Sequence, residues 1–233
     1  MYKQAVILAG GKGTRLRPYS VIFPKPLVPI GDYPILEIII RQLAQHNFER
    51  ITITVNHLAE LIKTFFGDGS KWGVKIDYSY EEEPLGTMGP LKQIKDLPDD
   101  FLVMNGDVLT DLNYSEFFMY HQSHKNIFTI SAIQREDRNE YGILEVDEKN
   151  ILVDFKEKPV SRYLVSMGIY MINKQILTHI PERQYFGFDH LMYALLDKDL
   201  RPAVNIFRGR WLDIGRPDDY AKAIDEINTH TYF

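Results

Sequence analysis

The sequence contains no cysteine, which excludes disulfide bonds, zinc–thiolate sites and cysteine nucleophiles. It has no excess of basic residues either: the net charge is −5, so nothing indicates a general nucleic-acid-binding surface. The longest apolar stretch, near residues 35–40, is far too short to span a membrane. Residues 1–3 lead straight into an apolar segment and leave no room for a signal peptide. We therefore expect a cytoplasmic protein without nucleic-acid or membrane partners.

Two familiar nucleotide-binding patterns are also missing, since there is no Gly-x-Gly-x-x-Gly and no Gly-Lys followed by Ser or Thr. What is present is a short apolar strand, predicted at residues 5–9, that leads into Gly10, Gly11 and Gly13. The basic residues of this loop are Lys12, Arg15 and Arg17. Glycine lets backbone N–H groups approach a ligand closely, so a strand followed by a basic glycine loop is typical of a phosphate-binding site. The alternative is an ordinary glycine turn with solvated basic residues.

A proline-rich segment follows at residues 23–29, where three prolines predict an extended, stiff chain around Lys25. A lysine held in this way loses less backbone entropy on binding than one on a flexible loop. The alternative is an exposed lysine in a proline-rich turn.

Three consecutive glutamates, Glu81 to Glu83, precede a Pro-Leu-Gly-Thr turn that contains Gly86. Such a run is often a solvated face. However, a carboxylate at the end of a strand can accept hydrogen bonds from the N–H groups of a base, and the adjacent glycine lets the ring come close. Guanine offers both a ring N–H and an amino group, so a carboxylate suits guanine better than adenine.

Residues 101–107 form a predicted buried strand that ends in Asn105, Gly106 and Asp107. Ligands bind beyond the carboxyl ends of strands in doubly wound sheets, and Mg²⁺ prefers carboxylate and phosphate oxygens. Asp107 is therefore a candidate magnesium ligand, with an exposed Asn-Gly turn as the alternative. Asp111 is a weaker candidate, either for the ion or for a helix cap.

The second half of the chain adds isolated signals. Glu157 and Lys158 close a predicted strand and can bind sugar hydroxyls and a phosphate, or form a surface charge pair. Gly168 lies inside another predicted strand, where glycine often marks a bulge or a close ligand approach. Asp213 lies between a strand end and a turn. Three aromatic residues could serve an interface or the core: Tyr185, Phe186 and Phe188.

Hydrophobic periodicity predicts a single α/β domain, with or without a small annex. The predicted strands lie at residues 5–9, 51–55, 74–78, 101–107, 126–133, 141–146, 151–159 and 164–172, and at 211–213. The predicted helices lie at residues 34–48, 57–66, 91–94, 188–196 and 217–228.

Six motifs occur in an order and at spacings that resemble those of the sugar-1-phosphate nucleotidylyltransferases. They lie at residues 8–15, 23–26, 83–87, 105–107, 157–159 and 211–215 and cover essentially the whole chain. Within that family the chain is most similar to the short bacterial guanylyltransferases that act on mannose 1-phosphate or heptose 1-phosphate. It departs from the usual motifs at Ser166, where many relatives have asparagine, and at Met88 and Pro90.

The resemblance implies a Rossmann-like α/β fold, in which helices flank a mixed, mostly parallel sheet and a small β annex covers the sugar site. It implies one domain over residues 1–233, with a nucleotide-binding part at about 1–112 and a sugar-phosphate-binding part at about 126–215. The implied reaction transfers a nucleoside monophosphate from a triphosphate, expected to be GTP, to a hexose or heptose 1-phosphate. The products are a nucleotide sugar and pyrophosphate. A homodimer is compatible with this family.

The resemblance also implies roles for individual residues. Catalysis falls to Arg15, Lys25 and Asp107, and the Mg²⁺ ligands are Asp107 and Asp213. The nucleotide is held by Leu8, Ala9, Gly10, Gly11, Gly13, Thr14, Glu81, Gly86 and Asn105. The sugar phosphate is held by Gly142, Glu157, Lys158, Ser166 and Gly168. No general base is needed, because a phosphate monoester is already ionised at neutral pH.

Three alternatives stay open at this point. The enzyme could transfer a uridylyl, thymidylyl or cytidylyl group to a glucose-type 1-phosphate. A non-catalytic homologue that binds a nucleotide sugar and regulates a partner should have lost a metal-binding aspartate or a phosphate-binding lysine, and this chain retains both. A dinucleotide-binding oxidoreductase is disfavoured by the missing glycine pattern.

Overall fold

The computed structural model describes residues 2–11, 13–16, 23–56 and 58–229. Lys12 and Arg17, two of the basic residues considered above, lie outside these ranges. The described helices are α1 (Ile35–Gln45), α2 (Ala59–Phe66), α3 (Tyr114–Ser123), α4 (Phe188–Asp197) and α5 (Pro217–Thr229). The described strands are β1 (Lys3–Leu8), β2 (Pro29–Ile30), β3 (Tyr33–Pro34), β4 (Phe48–Val55), β5 (Lys75–Tyr80), β6 (Asp100–Asn105), β7 (Val108–Thr110), β8 (Phe128–Arg138), β9 (Ile143–Val146), β10 (Leu152–Lys156), β11 (Val160–Asn173), β12 (Ala203–Phe207) and β13 (Trp211–Asp213).

Seven of these strands form one sheet in the order β12-β8-β11-β6-β1-β4-β5. The pairs around β1 are parallel, whereas β11 runs antiparallel to both of its neighbours. The sheet is therefore mixed and mostly parallel, as expected. Strand β1 is an interior strand next to the central β6, so the glycine loop that follows β1 leaves the carboxyl edge beside the end of β6.

The sheet is covered on both faces, which explains why β1 is a continuous apolar run. Ala5 and Ile7 belong to one buried cluster, together with the apolar face of α1. Val6, which points the other way along the strand, belongs to a second cluster with Leu191 and Leu195 of α4. Helices thus pack on both sides of the sheet, in agreement with the predicted α/β fold.

Three two-stranded sheets accompany the main sheet in the described ranges, and one of them is formed by β2 and β3. Among the described strands, β9 and β10 pair only with each other and form a hairpin separate from the main sheet. This hairpin corresponds to the small β annex that was predicted. Strand β13 pairs with β7, with Asp213 opposite Val108. This second pairing brings Asp213 next to the turn between β6 and β7 that holds Asp107.

Several element boundaries differ from the prediction. Helix α1 ends at Gln45, because Asn47 adopts a left-handed conformation (φ 60°) and the buried Phe48 already belongs to β4. The prolines around Lys25 do not keep the whole segment extended, since residues Lys25–Leu27 form a 3-10 turn.

Helix α3 and strand β12 were absent from the prediction. Asn113 caps α3 by accepting hydrogen bonds from the N–H groups of Ser115 and Glu116, both at 3.1 Å. The helix cap is therefore Asn113 and not Asp111, whose Oδ1 accepts a hydrogen bond from the Arg210 N–H at 2.7 Å.

Candidate active site

The site is organised around an ion pair between the first proline-rich turn and the end of β6. Lys25 Nζ donates a hydrogen bond to Asp107 Oδ2, and both side chains are largely buried, with 11% and 23% of their surfaces exposed. Lys25 and Asp107 are 82 positions apart in the sequence, so the fold brings together two charges that are distant along the chain. A cation and an anion are thus fixed beside the glycine loop.

Asp213 joins this pair from the far end of the chain. The Ile214 N–H donates to the Asp107 carbonyl oxygen at 3.0 Å, which closes the short β7–β13 ladder. Burial raises the pKa of the Asp213 carboxyl, and the negative charge of Asp107 raises it further, whereas Lys25 and Arg15 oppose the shift. These four side chains therefore share one electrostatic environment.

The arrangement of the two aspartates fits a divalent cation. Asp107 Oδ1 is inaccessible to solvent and has no hydrogen-bond partner among the described residues, while Oδ2 is engaged by Lys25. The described part of the chain contains no group of three or more His, Asp or Glu side chains that could enclose a metal on its own. Two carboxylates that leave other positions open are the donor set that Mg²⁺ uses when substrate phosphates complete its coordination.

Two adjoining clefts open at this edge of the sheet. The first has a volume of about 270 Å³ and includes Lys25, Asp107 and the glycine loop; the second has a volume of about 350 Å³ and includes Glu81 and Asn105. Both clefts are lined by Leu8, Gly11, Arg15 and Asp107. All nine residues predicted to hold the nucleotide, together with the three predicted catalytic residues, line one or both clefts.

Glu81 forms the floor of the second cleft and is not part of a solvated face. Its side chain is 9% exposed, and Oε2 accepts a hydrogen bond from the Leu85 N–H at 3.3 Å. A Cβ atom on Gly10 would overlap Glu81 Oε1, so a larger residue at that position would displace the carboxylate from its place against the loop. Burial raises the pKa of Glu81, although the hydrogen bonds from Leu85 and Thr54 oppose this shift.

Gly168 lies within β11 and packs against Asn105, which lines the second cleft. It adopts φ +72° at an irregularity in the β8–β11 pairing, and a Cβ atom there would lie 2.6 Å from Asn105 Nδ2. The predicted bulge is therefore confirmed, whereas the alternative of a close ligand approach stays a prediction. Ser166 Oγ accepts a hydrogen bond from the Gly168 N–H at 3.2 Å and donates one to the Tyr170 hydroxyl at 3.1 Å.

The remaining predicted sugar-binding residues lie on the annex. Glu157 and Lys158 follow β10 and are exposed, and a Cβ atom on Gly142 would lie 3.1 Å from Glu157 Oε2. Gly142 and Glu157 are thus neighbours. Among the described residues that line the two clefts, however, none belongs to the predicted sugar-binding set.

Residues 4–230 match the sequence profile of the family described as nucleotidyl transferase. The chain belongs to this family. The match covers nearly the whole chain, in agreement with the family that the six motifs indicate.

Relatives of this nucleotidyl transferase include proteins with different named substrates. The chain is 35% identical to the UTP–glucose-1-phosphate uridylyltransferase of Synechocystis sp., in an alignment that covers 95% of this chain and 62% of the relative. It is 34% identical to the D-glycero-alpha-D-manno-heptose 1-phosphate guanylyltransferase of Campylobacter jejuni over 219 residues, which cover 93% of this chain and 96% of the relative. The chain thus spans about three fifths of the first relative and nearly all of the second.

Solved structures of the family show the same fold. The crystal structure of HddC from Yersinia pseudotuberculosis superimposes with a TM-score of 0.76 at 30% sequence identity, covering 97% of this chain and 100% of HddC. The structure of HddC complexed with GMP-PN gives a TM-score of 0.73 at 29% identity, with the same coverage.

Sequence reasoning missed several residues that line the clefts of this nucleotidyl transferase: Thr54, Pro84, Thr87, Tyr185, Pro26, Gly106 and Gly215. Thr87, Pro26 and Gly106 lie directly next to a predicted site residue, and that adjacency was the available signal. Tyr185 had no such signal, because it enters the cleft from a loop that follows β11.

The structure places Phe186 and Phe188 against the core and leaves Tyr185 exposed. Phe186 and Phe188 pack against the second buried cluster, and Phe188 stacks on Tyr170 with ring centroids 4.9 Å apart. Tyr185 is 64% exposed.

No helix in the described ranges has the length and apolar character needed to cross a lipid bilayer.

Proposed function

We propose that the protein transfers a nucleoside monophosphate from a nucleoside triphosphate to a sugar 1-phosphate and releases pyrophosphate. The observation that carries this proposal is the shared environment of Lys25, Asp107, Asp213 and Arg15 beside a glycine loop, with a second cleft adjoining it. Cations and carboxylates placed together in this way suit the meeting of two phosphate-bearing substrates. The printed names of the two relatives, which both describe nucleotidyl transfer to a sugar 1-phosphate, support the reaction type.

In the proposed reaction a phosphate oxygen of the sugar 1-phosphate attacks the α-phosphorus of the triphosphate. A new P–O bond forms, the bond from the α-phosphorus to the bridging oxygen breaks, and pyrophosphate leaves. The main barrier is charge repulsion between the two substrates, so catalysis consists largely of positioning and electrostatic stabilisation. Lys25 would stabilise charge at the α-phosphate, and Arg15, which reaches both clefts, would bind the triphosphate and the leaving pyrophosphate.

Asp107 and Asp213 would hold Mg²⁺ through their carboxylates, with the free Asp107 Oδ1 as one available donor. When bound, the ion would supply positive charge to phosphate oxygens of both substrates. Burial and, to a smaller extent, the charge of Asp107 raise the pKa of Asp213, and the same ion would offset both unfavourable effects.

We further propose GTP as the triphosphate. Glu81 is a buried carboxylate in the second cleft, and it suits the ring N–H and amino group of guanine. The guanylyltransferase name of the Campylobacter relative and the GMP-PN complex of HddC agree with this choice. The uridylyltransferase name of the Synechocystis relative makes UTP the second candidate.

The sugar phosphate is proposed to bind on the side of the annex, against Gly142, Glu157, Lys158, Ser166 and Gly168. Residues of about 126–215 would therefore serve the sugar and residues of about 1–112 the nucleotide. A heptose 1-phosphate or mannose 1-phosphate is the expected acceptor, in line with the relative that the chain matches over nearly its full length.

The test is a matrix of the four ribonucleoside triphosphates and dTTP against mannose, glucose and heptose 1-phosphates, with product masses as the readout. We expect a GDP-sugar as the main product. A UDP- or dTDP-sugar as the main product would contradict the proposed base, and no product with any pair would contradict the reaction itself.

A further inference from the structure

In the second cleft Glu81 can contact the edge of a planar base, but another residue must contact the faces of its ring. Glu81 can hydrogen-bond only to the edge of a planar ring. Apart from Leu8 and Pro84, the non-aromatic residues that line this cleft are glycine, polar or charged, and neither Leu8 nor Pro84 provides a flat surface for a ring face. Among the described residues that line this cleft, Tyr185 is the one aromatic side chain.

Tyr185 is exposed at the cleft and is not buried in the core. Its side chain is 64% accessible, whereas the neighbouring Phe186 packs into the second buried cluster. A single exposed aromatic residue is common on protein surfaces and carries no meaning by itself. Tyr185 differs from an ordinary exposed aromatic residue because it lines the cleft that also contains Glu81 and Asn105.

The backbone that carries Tyr185 is held tightly against the cleft. The Phe186 N–H donates to the Leu85 carbonyl at 2.8 Å, and the Phe186 carbonyl accepts from the N–H groups of Met88 and Gly89 at 2.9 and 3.0 Å. The Phe188 N–H donates to Thr87 Oγ1 at 2.8 Å. This loop is therefore fixed on the Pro-Leu-Gly-Thr turn by the residues directly after Tyr185.

Gly86 shows how closely the two segments approach. It adopts φ +78°, and a Cβ atom there would lie 2.8 Å from the Phe186 carbonyl oxygen. The turn that follows Glu81 and the loop that carries Tyr185 are thus packed without space for a side chain. The backbone segments that carry Glu81 and Tyr185 are consequently held next to each other before any ligand arrives.

We propose that Tyr185 stacks on the base of the bound nucleoside triphosphate and forms the aromatic wall of the base site. This inference rests on the proposed function, because it assigns the second cleft to the base. Stacking is tolerant of base identity, since every base has a π-face. Tyr185 would therefore strengthen the binding of every triphosphate, while Glu81 discriminates among them.

The experiment compares Tyr185→Ala, Tyr185→Phe and the wild type. We expect Tyr185→Ala to raise the KM for GTP by about tenfold with kcat changed much less, and Tyr185→Phe to behave as the wild type. In the reverse direction the KM for pyrophosphate, which has no base, should stay unchanged. The matched control is Tyr193→Ala, because Tyr193 is 69% exposed on α4 and does not line the cleft.

Equilibrium binding of GTP, measured by calorimetry on the same variants, separates this inference from the proposed reaction. Weaker GTP binding by Tyr185→Ala supports the aromatic wall even if no sugar 1-phosphate is turned over, an outcome that would contradict the reaction alone. Equal GTP binding by Tyr185→Ala and the wild type would overturn the aromatic wall. An equal loss in Tyr185→Phe would also overturn it, because the hydroxyl and not the ring would then be responsible.

Discussion

The two proposed halves of the site differ in how their side chains are supported. In the nucleotide half, Lys25, Asp107 and Glu81 lie at the ends of buried strands or turns and are held by hydrogen bonds to neighbouring groups. In the annex, Glu157 and Lys158 are exposed at the end of a hairpin that pairs only with itself.

The hairpin also has an apolar face that the described structure leaves in solvent. Leu144 pairs with Phe155 and Val146 with Leu152, and each of these four side chains is more than half exposed. A two-stranded hairpin is marginally stable by itself in water. The comparison shows that Lys25, Asp107 and Glu81 are held by contacts among described residues, whereas the charged residues of the annex are exposed.

The largest expected effect comes from removing the central carboxylate. Asp107→Ala should abolish metal-dependent turnover, because the proposed metal site then loses the carboxylate that also positions Lys25. Steady-state rates over a Mg²⁺ titration provide the measurement, with the exposed Asp197→Asn as the control. Unchanged Mg²⁺ dependence in Asp107→Ala would remove this residue from the metal site.

The next largest effect is expected for the cation of the pair. Lys25→Ala should lower kcat by on the order of a hundredfold, by analogy with the loss of one donor to a developing oxyanion. The exposed Lys63→Ala on α2 serves as the matched control in the same rate assay. Near-normal kinetics for Lys25→Ala would rule out its proposed role at the α-phosphate.

A smaller and more selective effect is expected on the annex. Glu157→Gln should raise the KM for the sugar 1-phosphate by roughly tenfold, the size of one lost charge-assisted hydrogen bond, and leave the KM for the triphosphate unchanged. The free energy of unfolding should change by less than about 0.5 kcal/mol, since the residue is exposed. Glu148→Gln, at the turn of the hairpin, provides the control. Equal changes in both KM values would contradict the proposed division into two halves.

The smallest effect is a change of stability in the nucleotide half. The folded-state pKa of Glu81 is raised by burial, so the folded protein holds this proton more tightly than the unfolded chain. The stability therefore falls as the pH rises from the unfolded pKa through the folded one, and the cost persists at higher pH. Glu81→Gln removes this cost and keeps one oxygen as an acceptor for Leu85.

Thermal and denaturant unfolding at two pH values test this prediction. We expect Glu81→Gln to be more stable than the wild type at pH 7 and to lose that advantage below about pH 4, where the carboxyl of the wild type is protonated in both states. The exposed Glu82→Gln should show no difference at either pH. Lower stability of Glu81→Gln at pH 7 would mean that the hydrogen bonds of the carboxylate outweigh its burial.

The prediction of secondary structure succeeded where local patterns were strong and failed where they were not. Strand β1 and helices α2 and α4 follow runs of apolar residues, and the bulge at Gly168 follows from a glycine inside a strand. Helix α3 was missed although Asn113 and Glu116 form a recognisable N-terminal pair, because the segment is aromatic and polar instead of aliphatic. Strand β12 was missed at the edge of the sheet, where alternating residues are only half covered.

By itself, the sequence determined the chemical character of this protein: a glycine loop with basic residues, a lysine between prolines and aspartates at strand ends are all local features. Only the tertiary structure decided which of them meet. Asp213 reaches Asp107 through the β7–β13 pairing, and Tyr185 reaches the cleft of Glu81 through hydrogen bonds to a distant turn. Such pairings depend on the packing of the whole sheet and its helices, and no local pattern of residues encodes them.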